Sequence, residues 1–232
     1  MTCRRCWNSD AKVQHAGNFR LVRDPGHWGA TNPTTLVLGI SKGNTQSSAY
    51  EKGAFDAVAF KGLRERLLEV FQSVGILPNE ELQEFERRFT AAEKDFAFAS
   101  VVRCSLTGID RKSSHHTTNS GNVIRAFRSQ SSGYEFVSNC VDQHLVNLAP
   151  RTSLVLVLGT TGAYISTLRK IVAIKRGRVT PINEVAYWSG AVKFVHLTHP
   201  SRTNGNLYAF IRGEGTSGRK RDLARATLSM PA

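Results

Sequence analysis

Residues 153–159 read SLVLVLG and run on into TTGAY. Leu154 to Leu158 is an uninterrupted apolar run of five residues, and no run in the chain is longer. Five residues fall far short of the ~18 to 20 that a membrane span requires. A short run of leucine and valine stopped by glycine reads instead as a strand covered on both faces. Three other segments share this character: Thr35–Ile40 (TLVLGI), Phe98–Cys104 (FASVVRC) and Val192–Thr198 (VKFVHLT). Between them lie apolar residues at helical spacing. Leu63, Leu67, Phe71 and Val74 form one set, Phe136, Cys140, His144 and Leu148 a second, and Leu168, Ile171 and Val172 a third. Strand and helix alternate, which predicts a single α/β domain over residues 1–232, a three-layer sandwich with a central four-stranded parallel sheet flanked by helices. The first 33 residues are polar and read as an irregular segment outside the core. Ile109–Ser120 (IDRKSSHHTTNS) reads as a loop without period.

Composition narrows the function. Apolar residues make up 41% and charged residues 21% of 232, with 19 Gly and 7 Pro, which excludes a collagenous or largely disordered chain. Thirty-one Lys and Arg against 18 Asp and Glu give a net charge of +13, and the pI is near 10.1. Such a balance points to a polyanion, DNA or RNA, as partner. No apolar stretch follows the amino-terminal Cys-Arg-Arg-Cys, so the expectation is an unexported protein with no membrane partner, cytoplasmic, nucleoid-associated and monomeric. In a reducing compartment its four cysteines do not read as disulfides. Cys3-x-x-Cys6 brings two thiolates to one ion, and Cys104 and Cys140 can complete a four-thiolate site for zinc or a four-iron four-sulfur cluster. Spacing does not choose between the two, and four separate buried thiols are the plain alternative.

Ligands of an open parallel sheet sit outside the carboxyl ends of its strands. His199-Pro200-Ser201 follows the fourth strand and presents an imidazole, a rigid turn and a hydroxyl together, where the plain alternative is a surface turn. Gly39–Asn44 ends the first strand in a glycine-containing turn whose N–H groups can meet an anion or a polarised carbonyl oxygen, unless it is only a strand-to-helix turn. Gly159-Thr160-Thr161-Gly162-Ala163 lacks the third glycine and the downstream acid of a dinucleotide site and reads as tight helix-to-strand packing.

Taken in order, the turn at Gly39, Cys104, Cys140, LVLVLGTTGAY and HPSRTNG resemble the uracil-DNA glycosylase superfamily, and within it the iron-sulfur branches (families 4 and 5), over roughly residues 34–215. Lys52-Gly53-Ala54-Phe55 is similar to that superfamily's Gly-x-Pro-Phe, and Asn139-Cys140 through Leu145 to its Cys-x-x-x-Leu helix. The resemblance implies base excision from DNA containing uracil, with abasic DNA as product, and a four-iron four-sulfur cluster on Cys3, Cys6, Cys104 and Cys140 that tethers the N-terminal segment, zinc being the alternative. The Cys104-to-Cys140 interval is longer than those branches usually show.

By the same resemblance His199 donates to uracil O2, while Gly39 and Ile40 line the base site. Phe55 stacks on the base, Ser201 holds a flanking phosphate, and Arg202 or Thr203 fills the place of the flipped base. Where most members carry Asp or Asn, this chain has Ser41, a weak base without help. Water positioning then falls to Asp56, Asn44 or Ser41. Asn119 and Asn122 are the candidates for reading the uracil edge, or else loop and cap residues. Lys42, Arg111, His115 and His116 are expected to contact DNA, and His115 or His116 to capture the abasic product if the loop works as in one branch of the superfamily. Two other readings stand beside excision: a catalytically weak member that binds abasic or deaminated DNA, and a metal-binding nucleic-acid-binding domain.

Overall fold

The computed structural model describes residues 3–7, 10–43, 46 and 55–231. In chain order the strands are β1 (Val13–Ala16), β2 (Phe19–Val22), β3 (His27–Gly29), β4 (Thr35–Ser41), β5 (Phe96–Val102), β6 (Ser105–Ile109), β7 (His116–Thr117), β8 (Leu154–Leu158), β9 (Val179–Asn183), β10 (Ala186–Ser189) and β11 (Val192–Leu197). The helices are α1 (Phe55–Val58), α2 (Arg64–Ser73), α3 (Leu82–Arg87), α4 (Ser120–Val123), α5 (Tyr134–Val141), α6 (Gly162–Arg176), α7 (Leu207–Arg212) and α8 (Gly215–Leu228). A 3-10 turn (Ile124–Phe127) follows α4, and a π-helical turn (Asp142–Val146) follows α5.

The four apolar runs form the parallel heart of the sheet, in the order β5-β4-β8-β11. Successive residues serve opposite faces. Leu36, Leu38, Val155 and Val157 pack with Leu168 and Val172 of α6 and with α5, whereas Val37, Phe98, Leu156 and Val195 pack with Leu67 and Phe71 of α2, Phe85 of α3 and Phe210 of α7. Both faces are dry, as continuous apolar strands require. Gly159 after β8 has φ +148, and a Cβ there would stand 2.5 Å from the Tyr164 ring, so glycine lets α6 close on its strand.

The sheet is larger than the expected four-stranded parallel one. It has seven strands in mixed orientation, with β3 antiparallel to β5 at one edge and β10 and β9 antiparallel at the other. β3 is three residues long, too short to show a period, and β9 carries Pro181, which an edge strand tolerates because one row of N–H groups there lacks a sheet partner.

Contrary to the expected irregular segment, the described residues among the first 33 include three strands. β1 and β2 form a hairpin across Gly17 (φ +52) and continue through β6 to β7 as a second, four-stranded sheet. Phe19 and Leu21 on its inner face, with Trp7 and Leu106, join the α5 side of the core, while Trp28 joins the other. Residues 109–120 are likewise a hairpin closed by a turn, in which Asp110 accepts from the Lys112 and Ser113 amides and from Asn122. Among the described residues no helix is long and apolar enough to cross a membrane.

Candidate active site at the carboxyl edge of the sheet

His199 lies two residues beyond β11. The turn it opens is braced from within: Asn204 Nδ2 donates to Thr198 Oγ1 (2.9 Å) and to the His199 carbonyl (2.8 Å), and Ser201 and Thr203 share a hydroxyl bond of 2.8 Å. The Ser201 amide donates to His199 Nδ1 at 3.2 Å. An Nδ1 that accepts a hydrogen bond places the proton of a neutral ring on Nε2. Burial pushes the ring pKa down to about 4, so the imidazole is neutral near pH 7 and Nε2–H is its donor. Arg202 and Thr203 project into solvent at the tip of the turn.

The other expected site residues lie on β4 and α1. Since β8 separates β4 from β11, their carboxyl ends stand about 10 Å apart, two strand spacings. Gly39 and Ile40 are buried in β4. The Ser41 hydroxyl accepts from the Leu106 amide (2.8 Å) and faces the carbonyls of Cys104 (3.2 Å) and Leu106 (3.3 Å), which stitches β4 to β6. Asn44 and the Lys52-Gly53-Ala54 part of the second motif lie outside the described residues. Phe55 is 37% exposed and stacks on Trp28 with ring centroids 5.2 Å apart, while Trp28 Nε1 donates to the Phe55 carbonyl at 2.7 Å. Asp56 is exposed, and its carbonyl accepts from Arg64.

Lys42 overturns an expectation. It is 1% exposed, and its Nζ is 3.0 Å from Asp24 Oδ2 and bonded to the Asp24 carbonyl, so it cannot reach a DNA phosphate. Burial lowers its pKa and Asp24 opposes that shift. Asp24 also accepts from the Ser105 amide and hydroxyl, each at 2.7 Å. Asn122 and Asn119 are engaged locally: Asn122 Nδ2 donates to Asp110 Oδ2 (3.0 Å), and Asn119 caps α4 through the Gly121 amide. Arg111 and His115 are exposed on the β6–β7 turn. His116 is half-buried in β7, its Nδ1 3.3 Å from Thr107 Oγ1 and its ring edge-on to His15 at 5.9 Å.

The four cysteines come from three segments, and none is in a disulfide. Cys6 is hydrogen-bonded to Cys140 on α5 and 3.6 Å from Asn139 Nδ2. The bond from Cys140 holds the Cys6 thiol down to about 7 and pushes Cys140 up, while burial pushes Cys104 up to about 12. Arg103 beside them is 4% exposed and its Nε has no partner among the described residues; burial works against its charge, and Cys140 and Cys3 favour it. This donor set and its buried counter-charge fit a thiolate-bound centre in their chemistry. Even so, among the described residues no group of three or more His, Cys, Asp or Glu side chains stands in position to hold a metal ion.

Sequence reasoning missed Trp28, Arg66 and Asp24. Arg66 on α2 donates from Nε to the Pro200 carbonyl (2.9 Å) and from Nη2 to the Gly62 carbonyl (2.7 Å), tying the helix to the 199–203 turn. In Arg64-Glu65-Arg66 nothing sets that arginine apart from a solvated face. No protein-family model matches the chain, and no curated protein matches it.

Proposed function

We propose that this chain is a DNA N-glycosylase that flips uracil out of DNA and hydrolyses its glycosidic bond, leaving an abasic site. One observation carries the reading: His199 stands just past a parallel strand, neutral, with Nδ1 occupied by the Ser201 amide and Nε2–H left as donor. When the N1–C1′ bond breaks, its electron pair leaves with the base and the charge spreads to O2. A hydrogen bond to that oxygen which strengthens as charge develops lowers the barrier. Water adds to the sugar carbon and gives up a proton. Ser41 spends its hydroxyl on the backbone, so Asp56 is the remaining described candidate for directing that water. Phe55, backed by Trp28, supplies a face on which the extruded base can stack. Arg202 and Thr203 extend toward the vacated place.

The four cysteines belong to this proposal as ligands of a four-iron four-sulfur cluster, with zinc as the alternative. Bound there, the group would clamp the N-terminal segment to the β5–β6 connection and α5 and take no part in the chemistry. A second reading, a member that binds or captures abasic DNA with little cleavage, draws on the commitment of Ser41 to the backbone and on the exposed His115.

The test is one preparation assayed twice. Protein is purified without oxygen and analysed for iron, sulfide and zinc, then incubated with a labelled uracil oligonucleotide that is afterwards treated with alkali. Excision predicts strand scission that His199→Ala reduces by a factor of about 10² or more. Tight binding without scission supports the second reading, and scission unaffected by His199→Ala overturns the first.

A further inference from the structure

On the α2 face of the sheet, beside the 199–203 turn, lies a groove of about 410 Å³ whose lining includes Lys61, Arg64, Arg66 and Arg202 together with Glu65 and Glu86. Four cations face two carboxylates. Arg66 is the built part of it. It is 7% exposed, its Nε and Nη2 hold the carbonyls of Pro200 and Gly62, and neither is a carboxylate. A carbonyl dipole satisfies a hydrogen bond but does not neutralise a charge, and a buried guanidinium without a counter-ion is costly. Arg64 beside it is bonded to the carbonyls of Ala59 and Asp56, with its guanidinium 4.1 Å over the Phe89 ring, and unlike Arg66 it has carboxylates, Glu86 and Asp56, close enough to favour its charge. Lys61 and Arg202 are exposed at the rim. The groove therefore carries more positive than negative charge, and Arg66, its most buried cation, has no carboxylate among its described partners while it grips the turn bearing His199.

We propose that this groove holds a backbone phosphodiester of the bound DNA strand, and that Arg66 is a positioning residue which couples that phosphate to the placement of His199. The inference rests on the glycosylase reading for its second half only. A phosphate drawn to the guanidinium would fix the same group that fixes Pro200, so the turn would be set when the strand is seated. Lysine keeps the charge but lacks the planar fork that spans two carbonyls.

Binding of a short fluorescein-labelled duplex with a tetrahydrofuran abasic analogue, followed by anisotropy over a series of NaCl concentrations, reads the groove without any cleavage. Each phosphate contact contributes about 0.9 to the slope of log K against log salt. Lys61→Gln and Arg202→Gln should each flatten the slope by about one, while Lys170→Gln on α6, which packs against the other face of the sheet, leaves it unchanged. Single-turnover excision of uracil at saturating protein then reads the coupling: Arg66→Lys should keep the slope and lower the maximal rate about tenfold or more. Unaltered slopes in Lys61→Gln and Arg202→Gln overturn the phosphate site. An unaltered maximal rate in Arg66→Lys overturns the coupling. A wild-type protein that excises nothing defeats the glycosylase reading instead, and the slopes still decide the groove.

Discussion

Ser41 occupies the position at which the resemblance asks for an acid or amide, and its surroundings show what a hydroxyl does there. Its oxygen accepts from the Leu106 amide at 2.8 Å, and its proton faces two carbonyls. The group joins the large sheet to the small one where β4 ends and β6 begins. Ser41→Ala would leave the Leu106 amide without its partner in a half-buried place, a loss of about 1 to 3 kcal/mol. Urea denaturation should therefore place Ser41→Ala below wild type by that amount. A stability equal to wild type, with excision reduced, would instead make the hydroxyl part of the chemistry. His199 illustrates the opposite case. Its place was legible because a histidine-proline-serine turn after a buried strand stands at the sheet's edge, whereas its tautomer depends on a backbone amide two residues away that no spacing reveals.

At the scale of elements, what could be read was what has a period. The four parallel strands and the helices α2, α5 and α6 announce themselves because both faces of the sheet must be covered by apolar stripes. β1, β2 and β3 are three or four residues long and carry His15, Arg20 and His27 among their apolar residues, so too few alternations exist to tell them from loop. Their place is fixed by tertiary partners instead, above all by Asp24 between β2 and β3. That carboxylate meets Lys42 from the end of β4 and Ser105 from the start of β6, entirely inside the protein. Removing one member of a buried pair leaves the other charge unanswered, at a cost of about 3 to 5 kcal/mol, whereas removing both charges is far milder. Lys42→Met alone should accordingly be strongly destabilised in a urea titration. Adding Asp24→Asn, which keeps an acceptor for Ser105, should restore most of the loss. A single Lys42→Met variant within about 1 kcal/mol of wild type would mean that the pair does not hold these elements together.

The molecule as a whole holds several buried histidines in a state that water would not. His144, His196 and His199 are all held down to about 4, each by burial above other causes, and His27 is lowered in the same way. His196 donates from Nδ1 to the Gly159 carbonyl at 2.9 Å and lies between the rings of Tyr164 and Tyr187, with Nε2 unpartnered among the described residues. The sign follows from which state takes the proton. Between about pH 6.5 and pH 4 the unfolded chain protonates these rings while the folded chain does not. The stability these histidines contribute is thus complete above about 6.5 and is lost as the pH falls through that window, by up to about 1.4 kcal/mol per pH unit for each histidine. The exposed Asp110 carboxyl, held down to about 2 first by the Ser113 amide, makes its own contribution below that window and does not confuse it. Thermal midpoints should fall steeply on acidification below about pH 6.5, and midpoints that stay level from there to about pH 4.5 would show that the rings protonate freely in the folded chain. Excision measured well below the midpoint should follow a different curve. A His199 that stays neutral keeps its Nε2–H donor throughout the window, so the rate should hold down to about pH 5 even as the fold loses its reserve.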